Sequence, residues 1–468
     1  MPHFLLNDTF IETDQPLGAI LLDFLRDHES LTGAKPACRE GDCGSCAILL
    51  GEWDGEAMRY QSVNACLLPL GEVSGRHVVT VEGINRAGLT PVQQALVESG
   101  AIQCGYCTPG LVMTLTGYFL DCTTPAFREA EDGVAGNLCR CAAYAGIRRA
   151  ITRLCDTLDL PPATPGQRLE RLIELCVLPG YFRTIPARLR QLPLPETGAA
   201  QGSVLVGGGT DLFVHTPTVL AQQPLRFLSR QRSLRGIWVA DDRCHIGADA
   251  TAEEIRDNPV LRSHFPGIAD DFRLICSSPV RHRATLAGNL VNASPIADLA
   301  IYFLAHHAML GLKTAHRLRE IPLSAFYRGY KQVDLQPGEM VEWMSLDLPA
   351  KPTAFSYEKV CKRAHLDIAT VNTALRMEVV NGVIERAWLS AGGVAPTPLF
   401  LDKASSFLAG QPLNGATVKE VAHRAQKEIA PTDDVRGSAA YKRLLLRHLV
   451  YAHFLKLFPE HLSWEALA

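Results

Sequence analysis

The sequence predicts a multidomain α+β protein, and three observations predict it. Its 468 residues exceed what one core serves, so at roughly 150 residues per domain about three domains are expected. Strand-like period-two segments at both ends of the first 82 residues and again beyond residue 203 flank a stretch with helical spacing. A proline-bearing break over 157–168 separates a cysteine-rich first third from the rest.

In order, Phe4–Leu6 and Phe10–Glu12 read as a hairpin around an Asn-Asp turn. Leu17, Ile20, Leu21, Phe24 and Leu25 repeat at helical spacing, with Asp14 as cap and Pro16 in the first turn. A cysteine loop follows, then strands at Cys46–Leu50 and His77–Val81, closing a first domain at 1–82. Thr90 is placed to cap a helix from Pro91 to Ser99, and further helices are expected at Pro109–Asp121 and Ala142–Leu154, giving a helical domain at 83–156. After the break at 157–168, an α+β region over 169–348 and a final α+β segment over 349–468, entered through Pro349–Pro352, complete the organisation.

Composition narrows the function classes. A hydrophobic fraction of 47%, a charged fraction of 20% and a formal charge of -3 describe an ordinary globular protein without the basic surface that nucleic acid needs. The opening MPHFLLNDTFIETDQ has no basic start or long apolar core, so no export signal is expected. The apolar run Leu299–Leu312 is broken by His306 and His307 and is too short to span a bilayer, so a buried helix is expected there. Fourteen cysteines without a signal point to metal or redox chemistry in a reducing, cytoplasmic setting. Cys122, Cys155, Cys176, Cys244, Cys276 and Cys361 stand alone and are expected as buried apolar fillers.

The other eight form two quartets. Cys38-x4-Cys43-x2-Cys46 followed by Cys66 has the plant-type ferredoxin spacing, and Gly41, Gly44, Ser45 and Ala47 let the backbone fold around an inorganic core. A four-cysteine zinc site is the alternative, but zinc knuckles pair two short units, whereas one loop here supplies three ligands. Cys104-x2-Cys107 and Cys139-x-Cys141 lie near helix starts, where backbone dipoles favour an anionic cluster. Taken by themselves these four also suit zinc or a redox dithiol. Further on, Ser203–Leu212 runs from a short apolar strand into three glycines, then a threonine and an acid. Such a loop can bring N–H groups close to a pyrophosphate, although it matches neither the dinucleotide nor the P-loop motif and also suits a plain turn. Arg283–Asp298, rich in small residues, amides and hydroxyls, suits close contact with a polar ligand or a capped helix entrance.

Gly100–Gly110 (GAIQCGYCTPG) and Gly136–Cys141 (GNLCRC), together with the order of the quartets, closely resemble the molybdenum hydroxylases of the xanthine dehydrogenase family. The resemblance implies a plant-type ferredoxin β-grasp domain, a helical [2Fe-2S] domain, an FAD-binding α+β domain of the vanillyl-alcohol-oxidase type and a C-terminal flavoprotein domain in which Ser390–Pro396 is the matching turn. It further implies that Cys104, Cys107, Cys139 and Cys141 bind the [2Fe-2S] cluster nearer molybdenum, that Cys38, Cys43, Cys46 and Cys66 bind the farther one, and that Gln103 lies against the molybdopterin edge. By the same resemblance Val206, Gly207, Gly208, Gly209, Thr210, Asp211 and Leu212 wrap the FAD pyrophosphate. Thr285, Gly288 and Asn289 would bind flavin polar groups, Asp298 the adenosine half, and Lys359 would lie near the ring with Asp367 tuning it. Ile275, with Phe272 close by, occupies the place where some relatives carry an aromatic against the isoalloxazine.

The implied role is electron transfer from a molybdenum site, where a purine such as hypoxanthine or xanthine is hydroxylated, through two clusters to FAD and then NAD. Molybdopterin is expected on a larger partner subunit in an (αβ)2 heterotetramer, with no catalytic residue for hydroxylation in this chain and no nucleic-acid or membrane partner. The rivals are the same role with an aldehyde, nicotinate or aromatic acyl-CoA substrate, and a non-catalytic zinc-binding scaffold.

Overall fold

The computed structural model describes residues 1–85, 87–193, 202–349, 353–363 and 365–467. They divide into two compact units, Met1–Gln231 with Cys276–Ala284, and Arg232–Ile275 with Thr285–Ala468. Among the described residues no helix is long and apolar enough to cross a membrane.

The first unit is built on a five-stranded mixed sheet in the order β2-β1-β5-β3-β4, formed by β1 (His3–Leu6), β2 (Thr9–Glu12), β3 (Ala47–Trp53), β4 (Met58–Asn64) and β5 (His77–Val79). β1 runs parallel to β5 and the other pairings are antiparallel. Successive strand side chains point to opposite faces, and both faces are buried. Phe4, Leu6, Ile48, Leu50 and Val78 pack with Leu21, Leu22, Phe24 and Leu25 of the helix Leu21–Asp27. Leu5, Leu49 and Val79 pack on the opposite side with Leu111, Leu115 and Phe119 of the helix Thr108–Asp121.

The first helix begins at Leu21, later than expected, and Asp14 does not cap it. Ile20 instead bridges to Pro69, and Gly18 lies so close to Leu220 that an added Cβ would sit 2.5 Å from its carbonyl oxygen. Thr90 caps Pro91–Glu98 with the expected capping box to Gln93. The same Thr-Pro-x-Gln pattern recurs at Thr164–Gln167, where the expected linker gives way to a helix, Pro165–Glu174, that buries Leu169 and Leu172 in the core of the first unit. A short parallel pair, β6 (Val204–Val206) and β7 (Leu225–Phe227), completes this unit.

The second unit contains a five-stranded sheet in the order β11-β10-β14-β9-β8 and a four-stranded one in the order β15-β16-β17-β18. Its strands are β8 (Ile237–Ala240), β9 (Arg243–Gly247), β10 (Met309–Lys313), β11 (Leu318–Pro322), the small hairpin β12 (Tyr327–Gly329) and β13 (Gln332–Val333), β14 (Met340–Asp347), β15 (Ala354–Val360), β16 (Val371–Val380), β17 (Val383–Gly392) and β18 (Leu399–Phe400). Residues 350–352 of the break expected at Pro349–Pro352 lie outside the described residues. The apolar run expected as one helix is a helix only over Asp298–Ala305 and then becomes β10, because His307 takes a left-handed φ of 56° and turns the chain. Of the single cysteines only Cys244 is buried as a filler, while Cys176 is exposed and the other four are partly exposed.

Candidate functional site

Both cysteine quartets fall in the first unit. The loop carrying Cys38, Cys43 and Cys46 turns through left-handed φ angles at Arg39 (59°), Gly41 (80°) and Gly44 (65°), and Cys66 follows β4 in a short turn of helix. The thiols meet two by two. Cys38 is hydrogen-bonded to Cys43, and Cys66 to Cys46. The bond from Cys38 draws the Cys43 thiol down to about 5, and the same contact with burial pushes Cys38 far up. In the second quartet Cys104 pairs with Cys141 and Cys107 with Cys139. Burial pushes Cys107 up to about 12, whereas the Tyr106 backbone N–H lowers Cys104.

Two pairs per quartet is the donor arrangement a two-iron core asks for, with thiolate sulfur on each iron. Among the described residues no group of three or more Cys, His, Asp or Glu side chains is placed to hold a metal ion. Helix starts stand where charge accumulates: Cys107 is the N-cap residue of Thr108–Asp121, and the backbone N–H of Ala143, which precedes Tyr144–Thr157, donates to Cys139 Sγ at 3.5 Å.

The two loops also touch. Leu138 N–H donates to the Cys43 carbonyl at 3.0 Å, Asn137 Nδ2 donates to the Gly44 carbonyl at 3.2 Å, and a Cβ on Gly110 would lie 2.1 Å from that same carbonyl oxygen. Gln103 and Cys104 are exposed, with Ile102 and Tyr106 beside them on an accessible rim. On another side, a cleft of about 530 Å³ reaches Cys38 and Cys66 and is lined also by Asp23, Arg39, Phe24 and Phe213.

The glycine loop belongs to the same unit as the quartets. Val206 is buried at the end of β6, Gly209 takes a φ of 75°, Thr210 is partly exposed and Asp211 is exposed. Leu212 begins a helix of only four residues, Leu212–His215, so its dipole adds little to the loop. Gly208 is held by protein: a Cβ there would lie 1.5 Å from the Arg283 carbonyl oxygen. Gly207 sits between these two in a partly exposed position.

The second unit holds the remaining expected residues. Thr285 Oγ accepts from the Gly288 N–H at 3.2 Å and starts the helix Leu286–Asn292, on whose first turns Gly288 is exposed and Asn289 half-buried. Asn289 Oδ1 is buried without a hydrogen-bond partner, the kind of orphan that a bound polar ligand satisfies. Asp298 is taken up by the protein itself. Its Oδ1 accepts from Tyr357 Oη at 2.7 Å and Asn372 Nδ2 at 2.5 Å, and its Oδ2 from Lys359 Nζ at 2.8 Å. Lys359 also donates to the Leu274 carbonyl at 2.8 Å, beside the buried Ile275 and Phe272. The roles expected separately for Asp298 and Lys359 thus meet in one buried ion pair. Asp367 accepts from the backbone N–H groups of Lys362, Arg363 and Ile368, so it shapes its own loop. Tyr357 and Asn372 escaped the sequence reading because 59 and 74 residues separate them from Asp298.

Four family models match the chain. They are described as a 2Fe-2S iron-sulfur cluster binding domain (residues 5–70), a [2Fe-2S] binding domain (80–152), the FAD binding domain in molybdopterin dehydrogenase (190–350) and the CO dehydrogenase flavoprotein C-terminal domain (356–457). Xanthine dehydrogenase of Drosophila pseudoobscura pseudoobscura is 27% identical over 93% of this chain, and that of Emericella nidulans is 29% identical over 87%. The chain spans 38% and 35% of those relatives' own lengths. A solved carbon monoxide dehydrogenase from Hydrogenophaga pseudoflava, which lacks the Mo-pyranopterin moiety of its cofactor, superimposes with a TM-score of 0.52 at 25% identity, covering 58% of this chain and 92% of that one.

Proposed function

The chain is a member of the molybdenum hydroxylase family that carries iron-sulfur and FAD-binding domains, and we propose that it is the electron-transfer subunit of an NAD-dependent xanthine dehydrogenase. In this reading each quartet holds one [2Fe-2S] cluster, and purine hydroxylation occurs at molybdopterin on a larger partner subunit of a cytoplasmic (αβ)2 heterotetramer. The single observation that carries it is the pairing of eight thiols, two by two, within the unit that also bears the glycine loop.

When bound, the clusters supply one-electron steps, and FAD joins these to the two-electron chemistry of NAD. The chain's residues hold and tune these groups. The loop from Cys38 to Cys46 and the turn at Cys66 would hold one cluster, with backbone N–H groups of Glu40 and Asp42 near Cys38 Sγ. Cys104, Cys107, Cys139 and Cys141 would hold the other, with Gln103 facing the molybdopterin of the partner. Val206–Leu212 would receive the FAD pyrophosphate, and Thr285, Gly288 and Asn289 its polar groups, with the unpartnered Asn289 Oδ1 as an acceptor. Lys359, held by Asp298 and the Leu274 carbonyl, would present a fixed positive charge near the ring, beside Ile275 and with Asp367 shaping the adjoining loop. The similarity to xanthine dehydrogenases over most of the chain supports the purine reading, and the match of residues 356–457 to the CO dehydrogenase flavoprotein C-terminal domain supports the flavin reading of the second half.

The test is direct. The full chain, produced with iron and flavin but without a partner, is expected to be brown, to contain iron, acid-labile sulfide and FAD, and to reduce dyes with NADH without oxidising xanthine. Colourless protein with zinc would reject the reading, and in a separate preparation from the native source the identity of the copurifying large subunit decides between a purine and another substrate.

A further inference from the structure

One buried carboxylate ties the glycine loop to the iron-sulfur domain within the first unit. Glu72 lies in the helical turn Leu70–Val73, close after Cys66, and is 0% exposed. A buried carboxylate is costly unless charge and hydrogen bonds surround it. Here Oε2 accepts from Arg76 at 3.0 Å and from Arg283 at 3.0 Å, and Oε1 accepts from the Ser229 hydroxyl at 2.7 Å.

Two of these donors lead straight to the loop. Arg283 donates through Nη2 to the Gly208 carbonyl at 3.4 Å and lays its own carbonyl against the Gly208 Cα. Ser229 follows β7, the parallel partner of the strand that runs into the glycines, and the Phe227 ring of β7 fills the space beside Gly71, 2.1 Å from where a Cβ would stand. Apolar residues alone could pack such a joint. A carboxylate held by a guanidinium and a hydroxyl also fixes its orientation, because charge-assisted hydrogen bonds are directional as well as strong.

We propose that Glu72 is a positioning residue for the flavin: through Arg283 and Ser229 it sets the conformation of the glycine loop and fixes it to the segment that bears Cys66. This rests on the reading of Val206–Leu212 as the pyrophosphate loop. Glu72 touches no reacting atom. Its effect is read in FAD affinity and in the environment of the bound flavin.

The experiment titrates FAD into deflavinated full-length protein, following flavin fluorescence and the visible circular dichroism of the bound flavin, with iron content and thermal unfolding measured alongside. Glu72→Gln and Arg283→Gln are expected to weaken FAD binding by about tenfold, roughly the worth of one charge-assisted hydrogen bond, and to alter the dichroism, with iron per chain unchanged. Arg283→Lys, which keeps the charge, is expected to recover most of the affinity. A merely structural role would move iron, unfolding and FAD together and would show no rescue by lysine. That result, or wild-type or tighter FAD binding in both glutamine variants while Thr210→Val binds weakly, overturns the role of Glu72 and leaves the loop assignment standing. Normal FAD binding in Thr210→Val as well rejects the loop assignment, and the proposal with it. Should Glu72→Gln fail to fold, Arg283→Gln and Arg283→Lys decide by the same criteria.

Discussion

Lys359 Nζ stands 2.8 Å from Asp298 Oδ2, with the lysine side chain 1% exposed and the aspartate 13% exposed. Tyr357 and Asn372 occupy the other carboxylate oxygen, so strand β15, strand β16 and the start of the helix Asp298–Ala305 share one charged joint.

Removing one partner of such a pair leaves a buried charge alone. Lys359→Met is therefore expected to destabilise the second unit by about 3–5 kcal/mol, whereas Asp367→Asn, which touches only its own loop, is expected to cost much less. Denaturant unfolding of the two variants checks this. Equal losses would mean that the Asp298 joint carries little of the stability.

Gly208→Val would collide with the Arg283 carbonyl before any phosphate is considered. Its expected outcome is a broadly damaged first unit, with FAD, iron and solubility lost together. Thr210→Val, which keeps the backbone, is expected to lose FAD affinity alone. Comparing iron and flavin contents of both proteins separates packing from ligand binding.

Each quartet is expected to fail independently. Cys46→Ser and Cys139→Ser should each remove about half of the iron, because serine oxygen is a harder ligand than thiolate and each thiol pairs only within its own quartet. In the complex with its partner, Cys139→Ser should abolish substrate-dependent NAD reduction and spare NADH-to-dye activity. Normal substrate turnover in that variant, with molybdenum and FAD retained, would remove the second quartet from the electron path.

Acid should weaken the first unit through His77. Burial lowers this imidazole from 6.5 to about 3, and it is paired with Tyr60 Oη at 2.8 Å and the Asn7 carbonyl at 2.9 Å. The unfolded chain takes up the proton first, so stability is full above pH 6.5 and falls as pH drops from 6.5 toward 3. Urea unfolding across that window should show the slope, and His77→Gln should flatten it in the first unit. His453, lowered by burial to about 3, predicts a similar slope for the second unit.

The sequence by itself determined the features that depend on neighbours along the chain. Cysteine spacing with Gly41 and Gly44 defines a loop able to surround a core, and Thr90-Pro-x-Gln93 defines a capped helix, because both are satisfied within a few residues. The identical signal at Thr164 was equally legible and was hidden only by the prolines around it. Tertiary structure alone decided which thiol pairs with which, that Asp298 belongs to Lys359, Tyr357 and Asn372, and that Arg283 reaches from a distant segment to both Glu72 and Gly208. It also placed the glycine loop with the iron-sulfur domains, while Thr285, Gly288 and Asn289 fall in the other unit. Such contacts join residues that lie up to hundreds of positions apart, and only tertiary packing brings them together. No periodicity or local motif encodes that packing one segment at a time.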